Sequence, residues 1–214
     1  MDKPFAIFDL DGTLVDSMPF WDRLGLDFLD LHGISGSEAE NAVLQTARMT
    51  LPRSAVYLRE RFSLPITAEA AEAELNAVMS QYYRSSIPAK PGVHAYLERL
   101  RHCGVRLCVA SATGHTLISD CLKRLGLADC FEFLLSCEDL GAGKESPEIY
   151  LQAASRFGAQ PAHIAVYEDA LYALETAKRA GFYTVAVWDK SAIHQWELMR
   201  CMADEAIFDW LRLR

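Results

Sequence analysis

Two aspartates one residue apart, Asp9 and Asp11, stand in the stretch FDLDGTLVDS, Phe8 to Ser17, directly behind the apolar run Phe5, Ala6, Ile7. A carboxylate at the mouth of a buried strand needs a cation or a cage of hydrogen bonds, and two at close quarters repel one another. Three more polar groups follow apolar runs further along: Ser111 with Thr113 and Gly114, then Gly141, Gly143 and Lys144, then Glu168 with Asp169. Brought to one edge, these acids, the hydroxyl and the ammonium make a chemically coherent set. Several carboxylates bind a hard dication such as Mg²⁺, which keeps few protein ligands and shares the rest with water and phosphate. Ser111 and Lys144 suit a phosphoryl group, the first by hydrogen bonding and the second as a point charge. Gly12 and Gly114 allow backbone N–H groups close to an anion.

The elements needed to position these residues are legible in the pattern. From about residue 89 onward, short apolar runs alternate with helical stretches. Strands are predicted at Val105 to Ser111, Phe131 to Ser136, Ile164 to Asp169 and Thr184 to Trp188, with Phe5 to Phe8 in the same sheet. The stripe Leu117, Ile118, Cys121, Leu122, Leu125 predicts a helix that ends near Gly126. Ser146-Pro147 predicts the capped start of another that runs to Gly158, and a further helix ends near Gly181. Strands alternating with helices give a parallel sheet covered on both faces. In such open sheets ligands bind beyond the carboxyl ends of the strands, which is where all the polar groups fall.

Residues 16–88 break the alternation. Trp21, Leu24, Phe28 and Leu31 recur at helical spacing, and further helical segments cover about Ala39 to Ala47, Arg53 to Phe62 and Ala68 to Tyr83. Asp16 and Ser17 are placed to cap the first of these helices. The expected organisation is an α/β core of residues 1–15 and 89–214 carrying an all-helical insertion of residues 16–88.

Composition excludes other classes. The chain has 214 residues, a formal net charge of -8, and is 51% hydrophobic. An acidic chain with scattered Lys and Arg is not a nucleic-acid binder, and no apolar run is long enough to span a membrane. No signal peptide is visible, and the six cysteines form no CxxC pair, so reduced, buried thiols in a cytoplasmic protein are expected. The histidines show no ligand spacing. GAGKES lacks the Ser or Thr that a phosphate-binding P-loop carries after its lysine, and no GxSxG stretch supports a serine hydrolase.

FDLDGT, taken with Ser111, Lys144 and Glu168-Asp169 in that order, resembles the haloacid dehalogenase superfamily of phosphotransferases. The order and spacing are similar to the branch that includes β-phosphoglucomutase and phosphoglycolate phosphatase, where a helical cap follows the first motif. The resemblance implies a Rossmann-like core and assigns roles. Asp9 becomes the nucleophile that forms an aspartyl-phosphate, and Asp11 the general acid and then base, with its backbone carbonyl on Mg²⁺. Asp169 completes the metal site with Glu168 as ligand or support. Ser111, the neighbouring Ala112 and Lys144 bind phosphate. In the cap, Trp21 and Arg48 are the substrate-contact candidates, although a core tryptophan and a surface arginine are the bland readings of both.

Departures from the pattern are also visible. After Glu168-Asp169 the family often has Ser and, two residues after that, Gly; Ala170 and Ala173 stand in those places here. The third motif reads Lys144-Glu145-Ser146-Pro147-Glu148 rather than Lys-Pro-x-Pro-Asp. Trp21 occupies the place where the mutase branch tends to carry a histidine, which favours hydrolysis of a small phosphorylated metabolite over phosphoryl transfer between sugar positions. The competing expectations are a phosphomutase and a non-catalytic binding or regulatory protein on the same fold.

Overall fold

The computed structural model describes residues 3–46 and 49–213. The chain divides into two compact units, Met1–Ser17 with Ile87–Arg214, and Met18–Ser86.

The smaller unit is helical: α1 (Met18–Leu31), α2 (Ser37–Thr46), α3 (Leu51–Arg61) and α4 (Ala68–Ser85). Leu24 and Phe28 of the predicted stripe are buried, whereas Leu31 is exposed. Helix α4 starts where Thr67 accepts from the N–H of Ala70 at 3.1 Å, which satisfies one of the donors that a helix start leaves over. Ser17 does not cap α1 as predicted. Its hydroxyl is buried and makes no hydrogen bond among the described residues.

The larger unit is a six-stranded parallel sheet in the order β3-β2-β1-β4-β5-β6, made of β1 (Phe5–Phe8), β2 (Arg106–Ser111), β3 (Phe133–Ser136), β4 (Ile164–Glu168), β5 (Tyr183–Val187) and β6 (Glu205–Ile207). Its helices are α5 (Val93–His102), α6 (His115–Arg124), α7 (Cys137–Leu140), α8 (Glu148–Phe157), α9 (Leu171–Arg179) and α10 (Trp196–Met202). Alternation along β1 sends Ile7 to one face, among Cys108, Val166, Tyr150 and Phe157. It sends Phe8 to the other, where its ring stacks on Tyr167 at 4.1 Å and lies near Trp210. Both faces are therefore covered, which is the doubly wound, Rossmann-like arrangement expected.

Strand β6 was not anticipated. Glu205-Ala206-Ile207 is a three-residue edge strand with no alternation long enough to read, and it exists because β5 offers a free edge: Val185, Ala186 and Val187 pair with it. The start of α8 is also shifted. Pro147 occupies the cap position itself, with no side-chain cap from Ser146. The cysteines are all free, with Cys108, Cys121 and Cys137 buried as expected but Cys103 and Cys201 exposed. Among the described residues no helix is long and apolar enough to cross a membrane.

The chain leaves and re-enters the larger unit along two adjacent stretches. Val15 pairs antiparallel with Ala89, the N–H of Asp16 donates to Pro88 O at 3.0 Å, and that of Lys90 donates to Leu14 O at 2.9 Å.

Candidate active site

Strand β1 lies between β2 and β4, with Phe8 opposite Val109 on one side and Tyr167 on the other. This register brings the residues after β1, β2 and β4 to the same sheet edge. The N–H of Asp9 extends the ladder one residue further by donating to Tyr167 O at 3.0 Å. Asp9 is thereby fixed by backbone bonding before its side chain makes any contact.

Four ionisable side chains meet here, all buried: Asp9, Lys144, Glu168 and Asp169. Lys144 Nζ donates to Asp9 Oδ1 and to Glu168 Oε1, the latter at 2.7 Å. Tyr150 OH donates to the same Glu168 oxygen at 2.7 Å. Asp9, Glu168 and Asp169 each offer a carboxylate oxygen, and these atoms lie within 4.8 Å of one another. Three carboxylates against one ammonium leave a surplus of two negative charges in a buried site. The electrostatics register that surplus. Burial, with Lys144 opposing it, raises Asp9 well above the ordinary carboxylate value. Burial, then Glu168 and Asp189, push Asp169 up to about 7. Burial works to lower Lys144, but Asp9 and Glu168 outweigh it and hold the ammonium charged well beyond its usual range. Clustered hard oxygen donors with unneutralised charge fit a dication such as Mg²⁺.

Glycine at position 12 has two separate causes. Its φ of +74° lies in the left-handed region, and a Cβ placed there would meet Asp169 Oδ2 at 2.1 Å. The Asp169 carboxylate thus rests against the backbone of the first motif, and Thr13 Oγ1 donates to its Oδ1 at 3.2 Å. Gly114 answers to the same logic: a Cβ there would meet Glu138 Oε2 at 2.5 Å. At both glycines the space taken is that of a carboxylate.

Asp11 is separate from the carboxylate cluster. Its Oδ2 accepts from Thr113 Oγ1 at 2.6 Å, so its side chain is held by the loop after β2. Ser111 is fully buried at the end of β2, and its Oγ accepts from the N–H of Thr113 at 3.1 Å, which leaves its own proton for another acceptor. Ala112 is exposed between them. Ser136, paired with Ser111 across β2 and β3, donates to Thr113 O at 2.9 Å and braces the loop from the far side.

Of the remaining sequence candidates, Trp21 lies on α1 in the helical unit, where it lines a cavity of about 630 Å³ with Met18, Leu24, Val43 and Leu58. Arg48 lies outside the described residues. The departures after Asp169 have readable local consequences. Ala170 stands at the cap of α9 with no side chain to bond the helix start, and Ala173 is buried in the core.

Three contributors to the site were missed from sequence. Tyr150 gave no signal, since an aromatic residue on the inner face of a helix reads as core. Asp189 follows the end of β5 and could have been found by the same reading of strand ends that found Glu168. Its partner Lys90, at 2.8 Å, sits on the re-entry stretch and also donates to Trp188 O at 2.8 Å.

The chain matches the family model for haloacid dehalogenase-like hydrolases over residues 5–181. It is 31% identical to YhcW of Bacillus subtilis (strain 168) over 188 residues, 86% of this chain and 83% of that one. It is 29% identical to hexitol phosphatase B of Escherichia coli (strain K12) over 184 residues, 85% of this chain and 82% of that one. Among solved structures, a mutant of CbbY from Rhodobacter sphaeroides, in complex with xylulose-(1,5)-bisphosphate, superposes with a TM-score of 0.74 at 19% identity, covering 99% of this chain and 96% of that one.

Proposed function

The chain belongs to the haloacid dehalogenase-like hydrolase family, and on that premise we propose that it is a Mg²⁺-dependent phosphatase of a small phosphomonoester, of the sugar-phosphate or sugar-alcohol-phosphate kind, working through an aspartyl-phosphate on Asp9. The observation that carries this reading is the buried cluster of Asp9, Lys144, Glu168 and Asp169, with a second, separately held carboxylate, Asp11, one residue from the first of them. A hexitol phosphatase among the relatives supports the substrate class.

In the proposed reaction an Asp9 carboxylate oxygen attacks phosphorus and the bond to the leaving alkoxide breaks. Asp11, entering as the acid, gives that alkoxide its proton. Asp11, now a carboxylate, then takes a proton from water as the water oxygen attacks phosphorus. The Asp9 oxygen–phosphorus bond breaks, and inorganic phosphate leaves. The two carboxylates are held by different partners, Asp9 by an ammonium and Asp11 by a hydroxyl, which lets them take different roles in one cycle. Lys144, Ser111 and the backbone at Ala112 would hold the phosphoryl oxygens. Asp9, Asp169 and the Asp11 carbonyl, with Glu168 as ligand or support, would hold Mg²⁺, which when bound offsets the surplus negative charge and stabilises that on the phosphoryl group. Residues 16–88 would serve as a cap that limits water and selects the substrate. Trp21 carries no group able to relay a proton, which favours hydrolysis over mutase chemistry.

The test is phosphate release over a panel of phosphorylated sugars and sugar alcohols, with and without EDTA, beside the Asp9→Asn variant. Release that needs Mg²⁺ and vanishes in Asp9→Asn, with the fold intact by circular dichroism, supports the reading. Turnover by Asp9→Asn near the wild-type rate refutes it. Free phosphate absent and glucose 6-phosphate formed from β-glucose 1-phosphate would replace it with the mutase reading.

A further inference from the structure

We propose that Tyr150 is a positioning residue of this site, which acts through Glu168 to hold the Lys144 ammonium beside Asp9. The inference rests on the phosphatase reading above.

Tyr150 lies in the first turn of α8, on the face packed against the sheet. It is fully buried in a cluster made of Ile7, Ile149, Ala153, Phe157, Val166 and Phe182. Phenylalanine would fill that space equally well, so the packing alone does not call for a hydroxyl. A buried hydroxyl without a partner is costly, and this one finds its partner in a site acid, Glu168 Oε1 at 2.7 Å. That oxygen is also the one that accepts from Lys144 Nζ. A chain of contacts therefore runs from the hydrophobic core to the reacting edge: Tyr150 OH to Glu168, Glu168 to Lys144, Lys144 to Asp9.

This chain of contacts has a mechanical consequence. Lysine ends in a compact charge on a flexible four-carbon stem, and nothing in the stem itself fixes the ammonium. A carboxylate able to change rotamer would let the ammonium drift with it. The Tyr150 ring is enclosed in the core cluster, and its hydroxyl fixes the same oxygen of Glu168 that accepts from Lys144. Without the hydroxyl, Glu168 keeps Lys144 as a partner and loses its anchor to the core. One of the two acids that hold the third motif's lysine is then itself free to turn. Substrate binding by other groups is untouched, so the loss falls on the rate of phosphoryl transfer.

The experiment compares wild type, Tyr150→Phe, Glu168→Ala and the double variant, with p-nitrophenyl phosphate and saturating Mg²⁺. Tyr150→Phe is expected to lower kcat about tenfold, the scale of one hydrogen bond to a buried charge, with KM within twofold and an unchanged near-ultraviolet circular dichroism spectrum. The double variant is expected to be no slower than Glu168→Ala alone, because Glu168→Ala already removes the acceptor through which Tyr150 acts. Wild-type kcat in Tyr150→Phe, or a loss that multiplies in full with that of Glu168→Ala, overturns the assignment while leaving the phosphatase reading in place. A wild-type protein with no Mg²⁺-dependent turnover overturns the phosphatase reading and this inference together.

Discussion

Thr113 Oγ1 donates to Asp11 Oδ2 at 2.6 Å, a bond between side chains 102 positions apart that ties the loop after β2 to the loop after β1. The threonine is itself held from two sides, by Ser111 at its N–H and by Ser136 at its carbonyl. The acid proposed to carry the proton thus takes its orientation from the second motif. Thr113→Val keeps the shape and removes the donor. It is expected to reduce kcat about tenfold with KM nearly constant, the scale of one hydrogen bond to a charged group, and Thr113→Ser is expected to recover most of the rate. Steady-state kinetics on the two variants checks this, and a wild-type rate in Thr113→Val with the loss in Thr113→Ser instead would show that the methyl group and not the hydroxyl matters.

Gly12→Ala is the sharper structural test. The new Cβ meets Asp169 Oδ2 at 2.1 Å and the residue must keep a φ of +74°. Left-handed backbone at a non-glycine residue costs about 1 kcal/mol before any clash. The Asp169 carboxylate must then move, taking with it one corner of the acid cluster. The expected outcome is a lower Tm and a weaker Tm increase on adding Mg²⁺, both read by thermal denaturation. A variant with the wild-type response to Mg²⁺ would mean that Asp169 does not hold the ion.

Much of this arrangement was legible before the fold was known. FDLD, Lys144 and Glu168-Asp169 are visible because acids at the ends of apolar runs are costly anywhere but a functional edge. The strands themselves are visible because parallel strands buried on both faces read as unbroken apolar runs. What stayed hidden depends on three-dimensional pairing. Asp11 and Thr113 are joined by the register of β1 against β2, and a lone threonine in a loop carries no sign of its partner. Tyr150 is apolar by ring and polar by hydroxyl, and only the core contacts reveal which part matters. Strand β6 is too short to show a period and depends on the edge that β5 leaves open. Ser17 misled for the opposite reason: the residue type suits a cap, but its hydroxyl is buried and makes no hydrogen bond to the helix start.

The acid cluster makes the stability of the metal-free protein depend on pH in an unusual direction. Burial, then Glu168 and Asp189, push Asp169 up to about 7, against about 4 in an unfolded chain. Between those values the folded protein holds a proton that the unfolded chain has lost, so folding stability falls as pH rises through that window. Asp9, raised in the same direction by burial, adds to the trend. In EDTA the Tm is therefore expected to decrease from about pH 4 to about pH 7. Added Mg²⁺ favours the ionised acids, so the Tm increase it produces should grow over the same range. Scanning fluorimetry across the pH series, with Asp169→Asn as control, measures both slopes. A metal-free Tm that rises with pH, or a slope unchanged in Asp169→Asn, would contradict this account.

Lys90 and Asp189 form a further enclosed ion pair of this region, at 2.8 Å, and join the re-entry stretch of the chain to the end of β5. Burial disfavours the Asp189 charge, yet its bonds to Lys90 and Ser191 hold it below the ordinary carboxylate range. Removing one partner leaves the other charged, enclosed and unmatched. Lys90→Met is expected to destabilise the protein by about 3 kcal/mol, the usual penalty for breaking such a pair. The two residues also act with opposite sign on Asp169, which Asp189 pushes up and Lys90 pulls down. The double variant Lys90→Met/Asp189→Asn removes both influences together and leaves no unmatched charge. It should therefore be more stable than Lys90→Met alone and nearer to wild type in its Mg²⁺ dependence. Urea denaturation of the two variants, with Mg²⁺ titrations of their activity, measures the difference. Equal destabilisation in both would mean that the lysine contributes through its bond to Trp188 O, with the ion pair incidental.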